Sequence, residues 1–416
     1  MPIQVFPTPS AGASYSSQPP ASASSVLLDG QLVTASSIST SITGTGAPWL
    51  LYANGAGTTT ITIAGTPYTV TAGSTVGTSA YTGSQSVTVN GAKAPTTLTA
   101  TTGTANQSWF ATAFGAGTFV AVGNSATLIG MYSTDGINWN SMTMASSKSW
   151  NGIGYGNGYF VATQNSYTNA INYSSNGTTW TAGTMPTAST NYVGVDYGLI
   201  GATGYSVCVG YTSSGGTNAA YSTNGTSWTA STMPSSSFWT SVAYGNISGT
   251  GYFVAPAGGF MASSTAAAYS TNGTTWTAST MPSSQQWRST AFGNGTFVAV
   301  QRGGSSTTGA YSTNGTSWSA MTMPGSSALT WEGVTYTGAY FFAVERSGTN
   351  NAAYSTNGTS WTLATMPNTG PWFSTSYGNG YLIAVSMTGT TGAAAYALVS
   401  SLPVAYGIYN GATVRA

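Results

Sequence analysis

Five charged side chains, Arg288, Arg302, Glu332, Glu345 and Arg346, fall in one stretch of a chain that is otherwise almost without charge. Arginine and carboxylate together suit a hydroxyl-rich ligand, because each can form paired, charge-assisted hydrogen bonds. Trp287 and Trp331 directly precede Arg288 and Glu332 and offer flat faces on which a sugar ring could stack. The same residues support a second reading, in which the charges bridge neighbouring units and the tryptophans fill the core. An unpaired buried charge would be costly there. Both readings stand on sequence alone.

Other chemistry is scarce. The sequence holds no histidine, which removes the usual general base near neutral pH and the commonest metal ligand. The lone Cys208 lies in the apolar run YSVCVGY and reads as a small buried hydrophobe. No catalytic residue, metal ligand or cofactor is expected, and the chain is expected not to be an enzyme. Charged residues are only 3% of the total, against about 25% in ordinary domains, so Ser, Thr, Gly and Asn must supply the hydrophilic surface. A net charge of +1 gives no electrostatic reason to expect nucleic acid or an anionic membrane as partner. No run of about 18 apolar residues occurs, so membrane insertion is not expected.

The charged residues are set in an array of repeats. Tyr-Ser-x-(Asp/Asn)-Gly-x-x-Trp recurs at Tyr132–Trp139, Tyr173–Trp180, Tyr221–Trp228, Tyr269–Trp276, Tyr311–Trp318 and Tyr354–Trp361. Between these phrases an aromatic is followed six residues later by glycine, as in WFATAFG from Trp109 and WRSTAFG from Trp287. Further copies start at Trp150, Tyr192, Trp239 and Trp372, and Trp331 opens a form one residue looser. Asn-Gly between alternating residues predicts a two-residue hairpin with both turn residues at positive φ. That register would place Tyr221 opposite Trp228 as a cross-strand pair. Units of about 40 to 50 residues with four strands are propeller blades, and seven starts predict seven blades. The second and fourth residues after each opening aromatic are small, as at Gly152 and Gly154, which suits crowded innermost strands. Asp196 breaks that pattern, as a structural carboxylate or as part of a site.

The rest of the chain is organised differently. Residues 1–26 are rich in Pro, Ser and Ala and read as an extended attachment arm. Residues 27–94 alternate Thr with Ile or Val and predict a small β module. Residues 95–107 read as a linker or a sealing strand, and residues 108–416 as the propeller. The fold class is therefore all-β.

The phrase YSTDGINW at Tyr132–Trp139 resembles the Asp-box, the bacterial neuraminidase repeat of sialidase-type propellers. That box reads Ser-x-Asp-x-Gly-x-x-Trp. Here Asp135 and Gly136 are adjacent, and the other five copies carry Asn, so the likeness is to a shortened relative. Such hairpins are common in propellers of phage virion and tail-fibre proteins, and the resemblance covers about residues 105–400. It implies that the box is structural, on the face opposite the binding site. A sialidase would also need an arginine triad spread around the ring, a tyrosine nucleophile paired with Glu, and an Asp acid/base. No Arg-Ile-Pro motif precedes the first blade, and Arg288, Arg302 and Arg346 cluster in two adjacent blades.

The expectation drawn from these features is a virion structural protein, a phage fibre, spike or capsid decoration. Its N-terminal arm would bind other virion proteins, and its propeller would project outward and bind host-surface carbohydrate. The start MPIQVFPTPSAG shows no recognisable export signal, which suits assembly inside a host cell and a final location on an extracellular particle. Fibre attachment would bring a homotrimer. The alternatives are a secreted bacterial adhesin or surface-layer protein and, behind it, a sialidase-like glycan hydrolase.

Overall fold

The computed structural model describes residues 25–28, 31–34, 38–54, 58–71, 75–89, 98–101, 107–125, 127–259, 262–303, 307–326, 329–387, 394–398 and 405–410. The attachment arm expected over residues 1–26 lies almost wholly outside them. The chain divides into two units, residues 1–94 with 399–416, and residues 95–398.

The first unit is a seven-stranded sheet. Its order is Gln31–Thr34, Ser25–Leu28, Ala405–Asn410, Ile38–Asn54, Thr75–Val89, Thr58–Ile63, Thr66–Thr71. Alternating Thr and Ile or Val residues suit these strands. Ala64 and Gly65 turn the tight hairpin between the last two, at φ of 49° and 82°. Ala405–Asn410 corrects the expected propeller boundary at residue 416. That strand pairs in parallel with Ser25–Leu28 and antiparallel with Ile38–Asn54, so both its edges are satisfied in the first unit.

The second unit holds seven four-stranded antiparallel sheets. Each innermost strand touches the next and the last touches the first, so the blades close into a seven-bladed propeller. The innermost strands include Trp109–Gly115 in blade one, Trp150–Gly156 in blade two and Asn191–Ile200 in blade three. Trp287–Gly293, Trp331–Tyr336 and Trp372–Gly378 open blades five, six and seven. In blade four the strand is shortened to Ala243–Ile247, and Trp239 contributes an isolated bridge. Blade seven takes its outer strand, Thr99–Thr101, from the segment expected to be a linker or seal. Joining the two ends of the array in one sheet closes the ring.

The hydrophobic core lies between the blades. Second strands such as Thr118–Gly123 are buried on both faces because a neighbouring sheet covers each side. One cluster joins Val120, Val122 and Met142 of blade one to Trp150, Phe160 and Trp180 of blade two. Another joins Trp109, Phe119 and Trp139 of blade one to Ile383, Val385 and Ala394 of blade seven. The spacing of aromatic and glycine follows from this stacking. A Cβ on Gly115 would lie 2.0 Å from the Tyr155 ring, and one on Gly293 would lie 2.1 Å from the Tyr336 ring. Glycine makes the socket into which the next blade's aromatic fits.

The repeated Asn-Gly phrase departs from the hairpin expected of it. Tyr221 pairs with Thr229, one residue beyond Trp228, and Gly225 has φ of 78° while Asn224 stays out of the positive region. Side chains hold the longer loop. The Ser222 hydroxyl accepts from the Asn224 and Gly225 N–H groups at 3.3 and 2.9 Å. Asn224 Oδ1 accepts from the Thr226 and Ser227 N–H groups at 3.0 and 2.9 Å. The tryptophans turn toward the preceding blade, where Trp180 donates to Met142 Sδ at 3.2 Å and Trp361 to Met321 Sδ at 3.3 Å. The two-residue turn does occur between first and second strands, for instance at Asn157-Gly158 and Asn294-Gly295, where both residues have positive φ.

Candidate functional site

The residue after each opening aromatic is the one that the fold singles out. In six blades the pairing of first and second strands shifts there, leaving Phe110, Asn151, Val193, Arg288, Glu332 and Phe373 as bulged residues. A bulge re-aims its side chain out of the ladder, and bulges recur beside functional sites. With Thr240 of blade four, these residues ring one end of the central channel, a cavity of about 180 Å³. The flanking residues are constrained: a Cβ on Gly152 would meet the Val193 carbonyl oxygen at 2.0 Å. The bulged position is free to vary, and it does.

Arg288 of blade five and Glu332 of blade six are neighbours in this ring. Arg288 Nε donates to Glu332 Oε1 at 2.6 Å, and Arg302 Nε lies 3.6 Å from Oε2. The Glu332 side chain is fully buried, and burial pushes its carboxyl above the usual range against the opposing pull of Arg288. Arg302 and Arg346 follow the second strands of their blades. Their backbone N–H groups bond to Gln286 and Thr330 oxygens at 2.9 Å, which fixes them beside the channel mouth. The Arg346 guanidinium lies 5.3 Å from the centroid of the Phe373 ring, and burial followed by the charge of Arg288 lowers its pKa. Phe373 in turn packs against Phe110 with ring centroids 4.1 Å apart.

Not every expected site residue joins this group. Glu345 is buried, and its oxygens accept from the Ser347 N–H at 2.5 Å, the Thr349 N–H at 3.2 Å and both hydroxyls. Its carboxylate is used in shaping its own loop. Trp287 and Trp331 are buried at 0% and 1% exposure, so neither offers a face for stacking. The Trp287 indole donates to the Ser283 carbonyl at 3.3 Å from within the core. The structure shows the bridging that the second sequence reading expects. Arg288, Arg302 and Glu332 bridge blades five and six, and they do so at the channel mouth with Arg346 alongside. Asp196 sits elsewhere, between blades three and four, where its oxygens accept from the Tyr197 and Tyr244 N–H groups at 2.8 and 2.6 Å. Burial raises its pKa to about 6 against those two bonds. Among the described residues no group of three His, Cys, Asp or Glu could hold a metal ion.

Asn151 was missed by sequence reasoning. It is 5% exposed, and neither its Oδ1 nor its Nδ2 has a partner among the described residues. The hydroxyls of Thr290 and Thr375, which line the same channel, are also buried without partners. The available signal was the position itself, where Phe, Asn, Val, Thr, Arg, Glu and Phe succeed one another beside an aromatic that scarcely changes.

No protein-family model and no curated protein sequence matches the chain. Solved structures do. A streptogramin B lyase is similar with a TM-score of 0.59 and 14% identity, over 72% of this chain and 97% of that one. A catalytically inactive virginiamycin B lyase from Staphylococcus aureus with quinupristin gives 0.57 and 12%, over 70% and 95%. The WD40 β-propeller domain of Doa1 gives 0.50 and 12%, over 72% and 95%. At such identities the likeness shows the propeller fold alone. It also corrects one expectation. Absent histidine, clustered arginines and a missing Arg-Ile-Pro motif predicted a ring that is not an enzyme, yet a lyase is built on the same fold, so the architecture gives no ground for that exclusion.

Proposed function

We propose that the chain is a virion structural protein, a phage fibre, spike or decoration. It attaches through its N-terminal region and presents the propeller to carbohydrate on the host surface. The observation that carries this reading is the placement of Arg288 and Glu332 at one mouth of the ring, with Arg302 beside Glu332 and Arg346 beside Phe373, in a chain of only 3% charged residues. Such a concentration on a rigid scaffold is where ligand recognition is usually built. A surface supplied by Ser, Thr, Asn and Gly suits exposure outside a cell.

Mass spectrometry of purified particles tests the assignment, with the chain expected as a stoichiometric component. Finding it only in a bacterial cell wall or culture fluid would assign it instead to an adhesin. Adsorption of the purified chain to host cells tests the face. Arg346→Ala leaves the Arg288–Glu332 pair in place and is expected to weaken adsorption about tenfold. Unchanged adsorption would remove the channel mouth from the reading. Sugar released from host polysaccharide during the same incubation would mean that the site performs chemistry on what it binds.

A further inference from the structure

The buried amide of Asn151 calls for a physical account. A buried polar group without a partner is costly, and native structures that keep one usually have a use for it. Asn151 brings two donors and one accepting oxygen to the channel, and no described residue takes them up. Thr290 and Thr375, from blades five and seven, add two unpartnered hydroxyls to the lining of the same cavity. These groups come from three separate blades, so no local turn or helix end explains them together.

The geometry points to the mouth of the central channel as a binding site for one uncharged, hydroxyl-bearing sugar residue, the end of a glycan chain, with Asn151 as its main polar contact. Vicinal hydroxyls each donate and accept, which matches an amide presenting Nδ2 and Oδ1 side by side. The preference for a neutral ligand comes from the groups left to contact it, one amide and two hydroxyls that carry no charge, while Arg288 is already bonded to Glu332 at 2.6 Å. Phe110 and Phe373 line the same mouth but are buried against each other, so they bound the cavity and leave its polar lining to make the contacts. Size sets the mode of entry. About 180 Å³ is below the roughly 300 Å³ at which ordinary ligand pockets begin, so the cavity takes a chain end rather than a stretch of chain. This inference deepens the attachment reading and rests on it for the source of the sugar. The site itself rests on the side chains.

Saturation-transfer NMR on the full chain tests it. Methyl galactoside, methyl glucoside and methyl mannoside serve as neutral probes, and glucuronate and N-acetylneuraminate as anionic ones. At least one neutral probe is expected to bind with an affinity of about 1 mM, and both anionic probes at least about tenfold more weakly. Asn151→Leu is expected to reduce neutral binding about tenfold while leaving the melting temperature unchanged or higher, since it removes an unpaired polar group. Thr375→Val, nearly isosteric, is the second variant and is expected to lower binding about threefold. Neutral binding that survives both substitutions, or equal binding of the anionic probes, would overturn the channel site. So would the absence of any probe binding. Host-cell adsorption that persists in Asn151→Leu would also overturn the site while leaving the attachment reading intact. Probe binding without adsorption of the wild-type chain to cells would overturn the attachment reading alone.

Discussion

Asp135 holds by charge what its counterparts hold by a neutral amide. Its Oδ1 accepts from the Ile137 and Asn138 N–H groups at 2.9 and 2.8 Å, the same two bonds that Asn224 makes in its own turn. Slight burial raises its pKa, but the backbone and side chain of Asn138, the Ile137 N–H and the Ser133 hydroxyl outweigh that and hold it at about 2, below the ordinary 3.8. A carboxyl lowered in the folded state adds stability that is complete above pH 3.8 and is lost as pH falls through about 2. Thermal unfolding of the wild type and Asp135→Asn across that range is the measurement. The two should keep a constant offset above pH 5 or so, and the wild type should lose ground to the variant only below about pH 4. Parallel curves down to pH 2 would mean that the turn bonds do not discriminate between the two side chains. Glu332 is the opposite case at this scale. Burial raises its carboxyl, and two guanidinium groups around it make it an element of the bridge before it is anything else.

Between elements the deciding contacts are those that let one blade lie against the next. Gly293 shows no positive φ, so alanine there would suit the backbone, and the nearest obstacle is the Tyr336 ring 2.1 Å from the new Cβ. Tyr336 is itself held against Phe341, with ring centroids 4.8 Å apart, and has little room to retreat. Gly293→Ala should therefore destabilise by about 1 to 3 kcal/mol in denaturant titration, whereas Thr223→Ala at an exposed turn position should stay within about 0.5 kcal/mol. Equal effects would show that the socket is slack. This packing was legible in sequence as an aromatic and a glycine at fixed spacing, but its partner was not, because the ring that fills each socket comes from the following blade. The Asn-Gly turns misled for a related reason. Ser222 and Asn224 side chains take the hydrogen bonds that a two-residue hairpin would give to the ladder, and a dipeptide rule does not see side chains two residues away. Of the candidate site, the arginine and carboxylate cluster was readable from composition. The bulge that aims Asn151 into the channel was not, since it shows only as a shift in strand pairing.

For the whole molecule the decisive fact is how the ring shuts. Blade seven has only three strands of its own in sequence order, and Thr99–Thr101 pairs with Ala394–Leu398 to supply the fourth. The same segment reaches both ways: the Leu98 N–H bonds to the Thr365 carbonyl of blade six, and the Thr101 hydroxyl to the Ile137 carbonyl of blade one at 2.5 Å. Leu98 is 3% exposed, so its side chain adds burial to these bonds. Replacing residues 98–101 with Gly and Ser at constant length would leave Ala394–Leu398 as an edge strand open to pairing with another molecule. Losing one buried leucine alone costs about 2 to 5 kcal/mol, so the melting temperature should fall by about 5 °C or more. Calorimetry should also show the single transition broadening, as blades one and seven part before the others, and light scattering should detect association on heating. A variant that melts with the wild type in one sharp step would show that inter-blade packing closes the ring without its seal. The channel would then owe its shape to the stacked aromatics alone.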